Sequence, residues 1–136
     1  MATGFPQPTN FANGDVLQAS SVNDITGTLN TLGNVVLNAQ TGTTYTLVLA
    51  DSAKLVSLSN AASITLTVPA NSSVAYPTGT QIILYQAGAG QVTIAGAGGV
   101  TVRSNGTKLK LAGQYAVASL IKIGTDEWVA AGNLSA

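Results

Sequence analysis

An all-β fold is what this chain predicts: an antiparallel β-sandwich or barrel carrying an extended N-terminal arm and one short helix. Three observations carry that expectation. From residue 43 onward apolar residues recur at every second position. The β-like runs stand about 8 to 12 residues apart with turn residues between them, and no segment of helix length interrupts them, which speaks against a parallel α/β sheet. The expected division is an attachment arm with a short oligomerising helix over 1–40 and a β-sandwich domain over 41–136.

The arm comes first. Residues 1–15, "MATGFPQPTNFANGD", are rich in Pro, Asn, Gly and Thr and show no periodicity, so they read as extended chain. Both phenylalanines of the sequence, Phe5 and Phe11, lie in this stretch. Flexible segments are depleted in aromatics, so the two rings are expected either to dock onto another body or to fold back on their own domain.

In "SSVNDITGTLNTLGNVV", residues 20–36, Val22, Ile25, Leu29, Leu32 and Val36 follow one another at steps of 3, 4, 3 and 4. That is the rhythm of a coiled-coil seam. Ser21 is placed to cap the N-terminus, Asp24 suits the first turn of the helix dipole, and Gly33 stands where a helix stops. Gly27 costs about 1 kcal/mol relative to Ala, and a helix of about 12 residues is marginal alone. Neighbours must therefore stabilise it: either other copies of the chain along the seam, or the β domain.

The strands follow. Expected runs are "TYTLVLA" (44–50), "KLVSLS" (54–59), "SITLTV" (63–68), "QIILYQ" (81–86), "QVTI" (91–94), "VTVR" (100–103), "KLKL" (108–111), "QYAVASLIKI" (114–123) and "EWVAAG" (127–132). In "SITLTV" the residues Ile64, Leu66 and Val68 share one side and Ser63, Thr65 and Thr67 the other, as in a half-buried strand. Pro69 ends it, and "ANSSVAYPTGT" forms a longer connection.

The stretch "QAGAGQVTIAGAGGV" (86–100) invites comparison with phosphate-cradling loops. A dinucleotide fingerprint needs G-x-G-x-x-G opening a helix. Gly88 and Gly90 are followed by Thr93 at the third position, and Gly96 and Gly98 by Thr101. No Lys followed by Ser or Thr completes a P-loop, and each run leads into β-branched residues. These glycines, with Asn105-Gly106, are therefore expected in hairpin turns that need positive φ.

Chemistry is sparse. Asp, Glu, Lys and Arg make up 7% of the chain, against about 25% in ordinary domains. Five acids balance five bases, so no net field draws the chain toward nucleic acid or an anionic membrane. Cys and His are absent, which removes disulfides, thiolate nucleophiles, the common zinc sites and imidazole-based triads.

No catalytic residue, cofactor-binding residue or metal ligand is expected. Asp15, Asp24, Asp51, Asp126 and Glu127 read as surface acids at turns. Asp126 and Glu127, if both lie in strand, point to opposite faces and make a poor acid–base pair. Arg103, Lys108, Lys110 and Lys122 read at most as a small basic patch without interleaved aromatics, which is no nucleic-acid surface. Trp128 reads as core, the alternative being a platform for sugars together with the tyrosines. The N-terminus lacks the pattern of a signal peptide, and no apolar run approaches the ~20 residues of a membrane span. A surface so poor in charge is ill protected against association, and suits a subunit covered by copies of itself or by a larger body.

Residues 43–134 carry "DSAKLVSLSN", "VPANSSVAYPTGTQI", "GAGQVTI", "LKLAGQYAVASLIK" and "DEWVAAG" in that order. This run resembles a β module found near the C-termini of tailed-bacteriophage virion proteins, namely fibre, tail and head-decoration components. "NFANGDVLQASSVNDITGTL" is similar to the segment by which such proteins attach to the particle. The resemblance implies a homotrimeric structural protein on the outer surface of the capsid or on the tail, made in the bacterial host cytoplasm. Its partners would be itself and the major capsid protein or another virion protein. The chain is short, with no repetitive shaft, which favours a capsid decoration (cement) protein over a short tail or head fibre. A host-glycan-binding module is the alternative of a different class.

Overall fold

The structure, a computed structural model, describes residues 34–136. The chain divides between Val35 and Val36, and the fold below is that of the second unit, Val36–Ala136. Phe5, Phe11, Val22, Ile25, Leu29 and Leu32, and with them the expected helix, lie outside the described residues.

Eleven strands make up the unit: β1 (Val36–Gln40), β2 (Thr44–Thr46), β3 (Lys54–Leu58), β4 (Ile64–Val68), β5 (Gln81–Gln86), β6 (Val92–Gly96), β7 (Thr101–Ser104), β8 (Lys110–Leu111), β9 (Val117–Gly124), β10 (Glu127–Gly132) and β11 (Leu134–Ser135). Two short 3₁₀ turns, Leu49–Asp51 and Asn105–Thr107, are the helical elements among the described residues. Val36, the last position of the expected helical seam, opens β1 and so lies on a strand.

The strands form two sheets around one core, the all-β sandwich that the alternation predicts. One sheet has the order β1-β3-β5-β9-β10-β7, the other β11-β8-β6-β4-β2. The expectation of antiparallel pairing needs correction. The pairs β1–β3, β3–β5, β2–β4, β4–β6 and β7–β10 are parallel. The reason lies in how the chain travels. From β1 to β6 it alternates between the sheets, each strand of one serving as the crossover for the other, so every return runs in the same direction. Parallel neighbours need a crossover of a dozen or more residues, and here an opposing strand supplies it where an α/β protein uses a helix. The result is three stacked coils: β1–β2, β3–β4 and β5–β6. From β7 onward the pairing is mixed, with β9 and β10 forming an antiparallel pair against β5.

Inward-facing residues stack along the coils. Val56, Leu58, Ile64, Leu66, Val68, Ile82, Leu84, Val92 and Ile94 are buried, with Leu111, Leu120 and Trp128 closing the far end. The Tyr76 and Trp128 rings meet edge to face, at a centroid distance of 5.4 Å and an interplanar angle of 89°. Tyr76 comes from the long 70–80 connection, so that connection contributes a ring to the core.

The glycine-rich segments do turn the chain, but from sheet to sheet rather than as hairpins: β5 and β6, β6 and β7, and β7 and β8 belong to opposite sheets. Nor is positive φ what Gly88 and Gly90 supply. A Cβ on Gly90 would lie 1.8 Å from the Ala62 carbonyl oxygen, and one on Gly88 2.6 Å from the Asn60 nitrogen. Adjacent coils touch backbone to backbone at this corner, which leaves no room for a side chain.

Candidate functional site

Three places in the unit concentrate polar or unusual chemistry. The first is the end of the stack. Asn38 stands in register with Val56, which stands in register with Leu84. Tyr45 likewise heads a row that continues through Leu66 and Ile94. The first coil therefore puts an amide and a phenol where later coils put aliphatic residues. Asp51, only 1% exposed, ties them together. Its Oδ1 accepts from Asn38 Nδ2 at 2.7 Å, and its Oδ2 from Tyr45 OH at 2.8 Å and from Val48 N at 2.9 Å. Gln40 Nε2 donates to Asn38 Oδ1 at 2.8 Å, extending the cluster.

Tyr76 reaches the same corner, its hydroxyl donating to the Val48 carbonyl oxygen. Burial, and then the Asp51 carboxylate, holds the Tyr76 phenol far above the ordinary tyrosine range. Tyr45 is raised as well, first by burial and then by its hydrogen bond to Asp51. The expectation that Asp51 is a surface acid is thus overturned. Three donors satisfy its carboxylate inside the protein.

The second place is the base of the 70–80 connection. Lys122, expected in a surface basic patch, is 2% exposed, because its position on β9 faces inward. Its Nζ donates to Asn71 Oδ1 at 2.6 Å and to the Tyr76 carbonyl oxygen at 2.7 Å. Asn71 N in turn donates to Asp126 Oδ1 at 2.7 Å. Asp126 sits in the turn before β10 and Glu127 opens the strand, where it pairs with Arg103. Asp51 and Asp126 serve separate hydrogen-bond sets and do not form an acid pair. Lysine and aspartate here pin a loop, which is a structural use of charge.

The third is Gln86, 1% exposed inside the glycine-rich corner. Its Nε2 donates to the Gly88 carbonyl oxygen at 3.2 Å and its Oε1 accepts from Val92 N at 3.1 Å. One side chain thereby satisfies backbone groups on both sides of the β5–β6 turn. That turn is an internal fixture, with its polar groups committed inward, and offers no cradle to a phosphate.

Clefts are shallow. One of about 400 Å³ is lined by Asn105, Lys108, Val129, Ala130, Ala131, Gly132 and Leu134, and contains neither an acid nor an aromatic ring. No group of three or more His, Cys, Asp or Glu side chains that could hold a metal ion occurs among the described residues. No helix there is long and apolar enough to cross a membrane. Trp128, 1% exposed, is core as expected and cannot offer its face to a sugar.

What remains is the outer surface of the sheets, and the two differ. On the five-stranded sheet Thr44, Thr65, Thr93, Lys110 and Ser135 form one row across all five strands. Thr46, Thr67 and Ala95 form the next. On the six-stranded sheet the outward positions include Leu37, Leu55, Ile83, Tyr85, Val117, Ile121, Ile123 and Val129. Leu37 is 67% exposed, Ile123 48% and Val117 43%. Charge on this face is confined to Arg103 and Glu127 at its β7 border, where they pair with each other. Large exposed apolar patches are uncommon on the surfaces of soluble monomers.

No protein-family model, no curated protein and no solved structure matches the chain.

Proposed function

We propose that this chain is a structural protein of a tailed-bacteriophage virion: a homotrimeric decoration protein on the outer surface of the capsid. It works by contact area rather than by catalysis, and needs no cofactor. One observation carries the reading. A domain with hardly any charge turns a broad apolar sheet face outward, a poor surface for a solitary molecule and a good one for an assembled subunit. The motif resemblance over 43–134 supports the same conclusion. The polar clusters also fit it, since the side chains of Asp51, Lys122 and Gln86 are taken up in hydrogen bonds that serve the fold.

Mechanically, such a subunit spans neighbouring capsomers and adds buried interface where they meet, opposing pressure from inside the head. Residues 1–15, with Phe5 and Phe11, make the contact with the major capsid protein. The three-coil stack gives a second reading some support: a stack of parallel coils whose first strands, β1 and β2, stand at the sheet edges can also serve as the base of a short tail or head fibre. The burial of Trp128 takes one ring from the glycan-binding reading and leaves it the exposed Tyr115.

The test is reconstitution. Phage heads stripped of minor surface proteins are incubated with the purified chain, pelleted, and challenged by heat. Saturable binding and a higher temperature of DNA release are expected, and a chain lacking residues 1–15 should remain folded but fail to bind. Heads that neither bind the chain nor gain stability would refute the decoration role, and binding to tails alone would favour the fibre.

A further inference from the structure

We infer that the outer face of the six-stranded sheet is the surface on which copies of this chain pack against one another, a ridge on one half of the face seating in a trough on the other half of a neighbour's. The inference rests on the homotrimer proposed above and names where its subunits meet.

The relief of the face follows from the pairing register. Leu37, Leu55 and Ile83 stand in one row across β1, β3 and β5. The same row continues across β9 and β10 as Ser119 and Ala131. Its first half is a ridge of branched aliphatic side chains and its second half a line of small ones. Larger residues flank the small pair: Tyr85 and Val117 on one side, Ile121 and Val129 on the other. The small half is therefore a trough with apolar walls. Sheets that pack face to face interdigitate their side chains about 10 Å apart, and a ridge entering a trough is how two such faces close without voids.

Charge excludes most other partners. The ridge and trough carry no charged side chain, and Arg103 and Glu127 stand at the rim, already paired. An interface whose core lacks charge and whose rim carries it is the ordinary composition of a subunit contact. Nothing on the face attracts an acidic or a basic partner, whereas a second copy needs only matching relief, which the face itself contains. Ridge and trough lie on different halves, so each copy can offer its ridge to one neighbour and its trough to the other. That head-to-tail pairing closes into a ring when the rotation allows, and a trimer uses both halves of every face once.

Six strands about 4.8 Å apart and roughly 20 Å tall span on the order of 500 Å² before side-chain relief is counted. A standard stable interface takes about 800 Å² from each partner. Shared between two neighbours, the face supplies about 250 Å² to each contact before relief is counted, so the remainder of each contact comes from outside the face. The outer face of the five-stranded sheet, with its threonine rows and Lys110, has no comparable relief and stays in solvent.

The test is sedimentation velocity on the full chain with three single variants. Leu37→Glu charges the ridge, Ala131→Arg fills the trough, and Thr65→Arg charges the opposite face. All three positions are exposed, so the fold should survive, and near-ultraviolet circular dichroism checks that it does. The wild type and Thr65→Arg are expected to sediment as trimers, while the ridge and trough variants dissociate at concentrations at least tenfold higher. Trimers that persist in both face variants but vanish on Leu29→Asp would place the contact in the 20–36 seam and overturn the inference. A wild-type chain that is monomeric at micromolar concentration would overturn it too. Head binding, measured separately, decides the decoration role whichever way the subunits meet.

Discussion

The two outer faces of this sandwich are built from the same strand grammar and come out opposite in character. Both use residues that fit a pleated backbone: threonine on the five-stranded sheet, leucine, isoleucine and valine on the six-stranded one. β-branched side chains suit strands in either case, so strand formation does not require the difference. Each sheet already buries one side in the shared core. What distinguishes the faces is what they meet outside. A threonine row hydrogen-bonds with water and tolerates exposure, while an exposed leucine row gains about 25 cal/mol for each Å² that something covers. The lesson is that the fold was satisfied twice over and only one side was left wanting a neighbour.

The comparison assumes that both faces rest on one cooperative core, and the sharpest way to break it is at the corner where coils touch. Gly90→Val has no space against the Ala62 carbonyl, and should lower stability by about 3 kcal/mol or more. Gly98→Ala, with nothing within 4 Å, should leave stability nearly unchanged. Urea midpoints followed at tryptophan and by far-ultraviolet dichroism should fall together for Gly90→Val; separate transitions would mean that the sheets are independent.

The polar end of the stack lies beneath the first strand of both sheets, so its titration should loosen both at once. Tyr45 and Tyr76 hold their protons more tightly folded than unfolded. Their contribution is therefore complete below the ordinary tyrosine pKa of about 10 and lost as pH rises above it, by up to about 1.4 kcal/mol per pH unit for each group. Stability should fall steeply between about pH 10 and 12. Tyr76→Phe should flatten that limb while lowering stability at neutral pH by about 1 kcal/mol, through loss of its bond to Val48.

Exchanging the characters of the faces gives a smaller effect on the isolated fold. Leu55→Thr with Ile83→Thr, or Thr44→Val with Thr65→Val, should change monomer stability by about 1 kcal/mol or less per site. The first pair should weaken self-association and the second should create it on the other side, read by light scattering. Arg103→Ala is the smallest change. Its pair with Glu127 is exposed, so the loss should stay below about 1 kcal/mol and fade in 1 M salt. A larger loss would mean that the rim is covered in the assembled state.

The strands from β3 to β10 were legible as short runs of apolar and β-branched residues bounded by turn residues, with clean alternation in β4; β5 and β10 match the expected runs residue for residue. β1 was missed because its phase is inverted: Asn38 and Gln40 face inward while Leu37 faces out, so the pattern looks like no half-buried strand. The parallel coils were hidden for a different reason. Partners such as Val36 and Lys54, Thr44 and Thr65, or Ile64 and Val92 recur at steps of 18, 21 and 28 residues, because the 70–80 connection stretches one coil, and no fixed period survives. Asp51 and Lys122 were misplaced at the surface because a charge reads as solvated until its partners are known. Those partners lie as far as 51 residues away for Lys122.

By itself, then, the sequence determined the β class, the run of strands, the burial of Trp128, and a composition poor in charge. Those follow from periodicity and composition, which are local and additive. Which strands became neighbours, whether they ran parallel, which glycines were needed for closeness rather than for φ, and which face was left apolar were decided only in three dimensions. Each depends on register between residues distant in the chain, and register comes from packing the whole core at once.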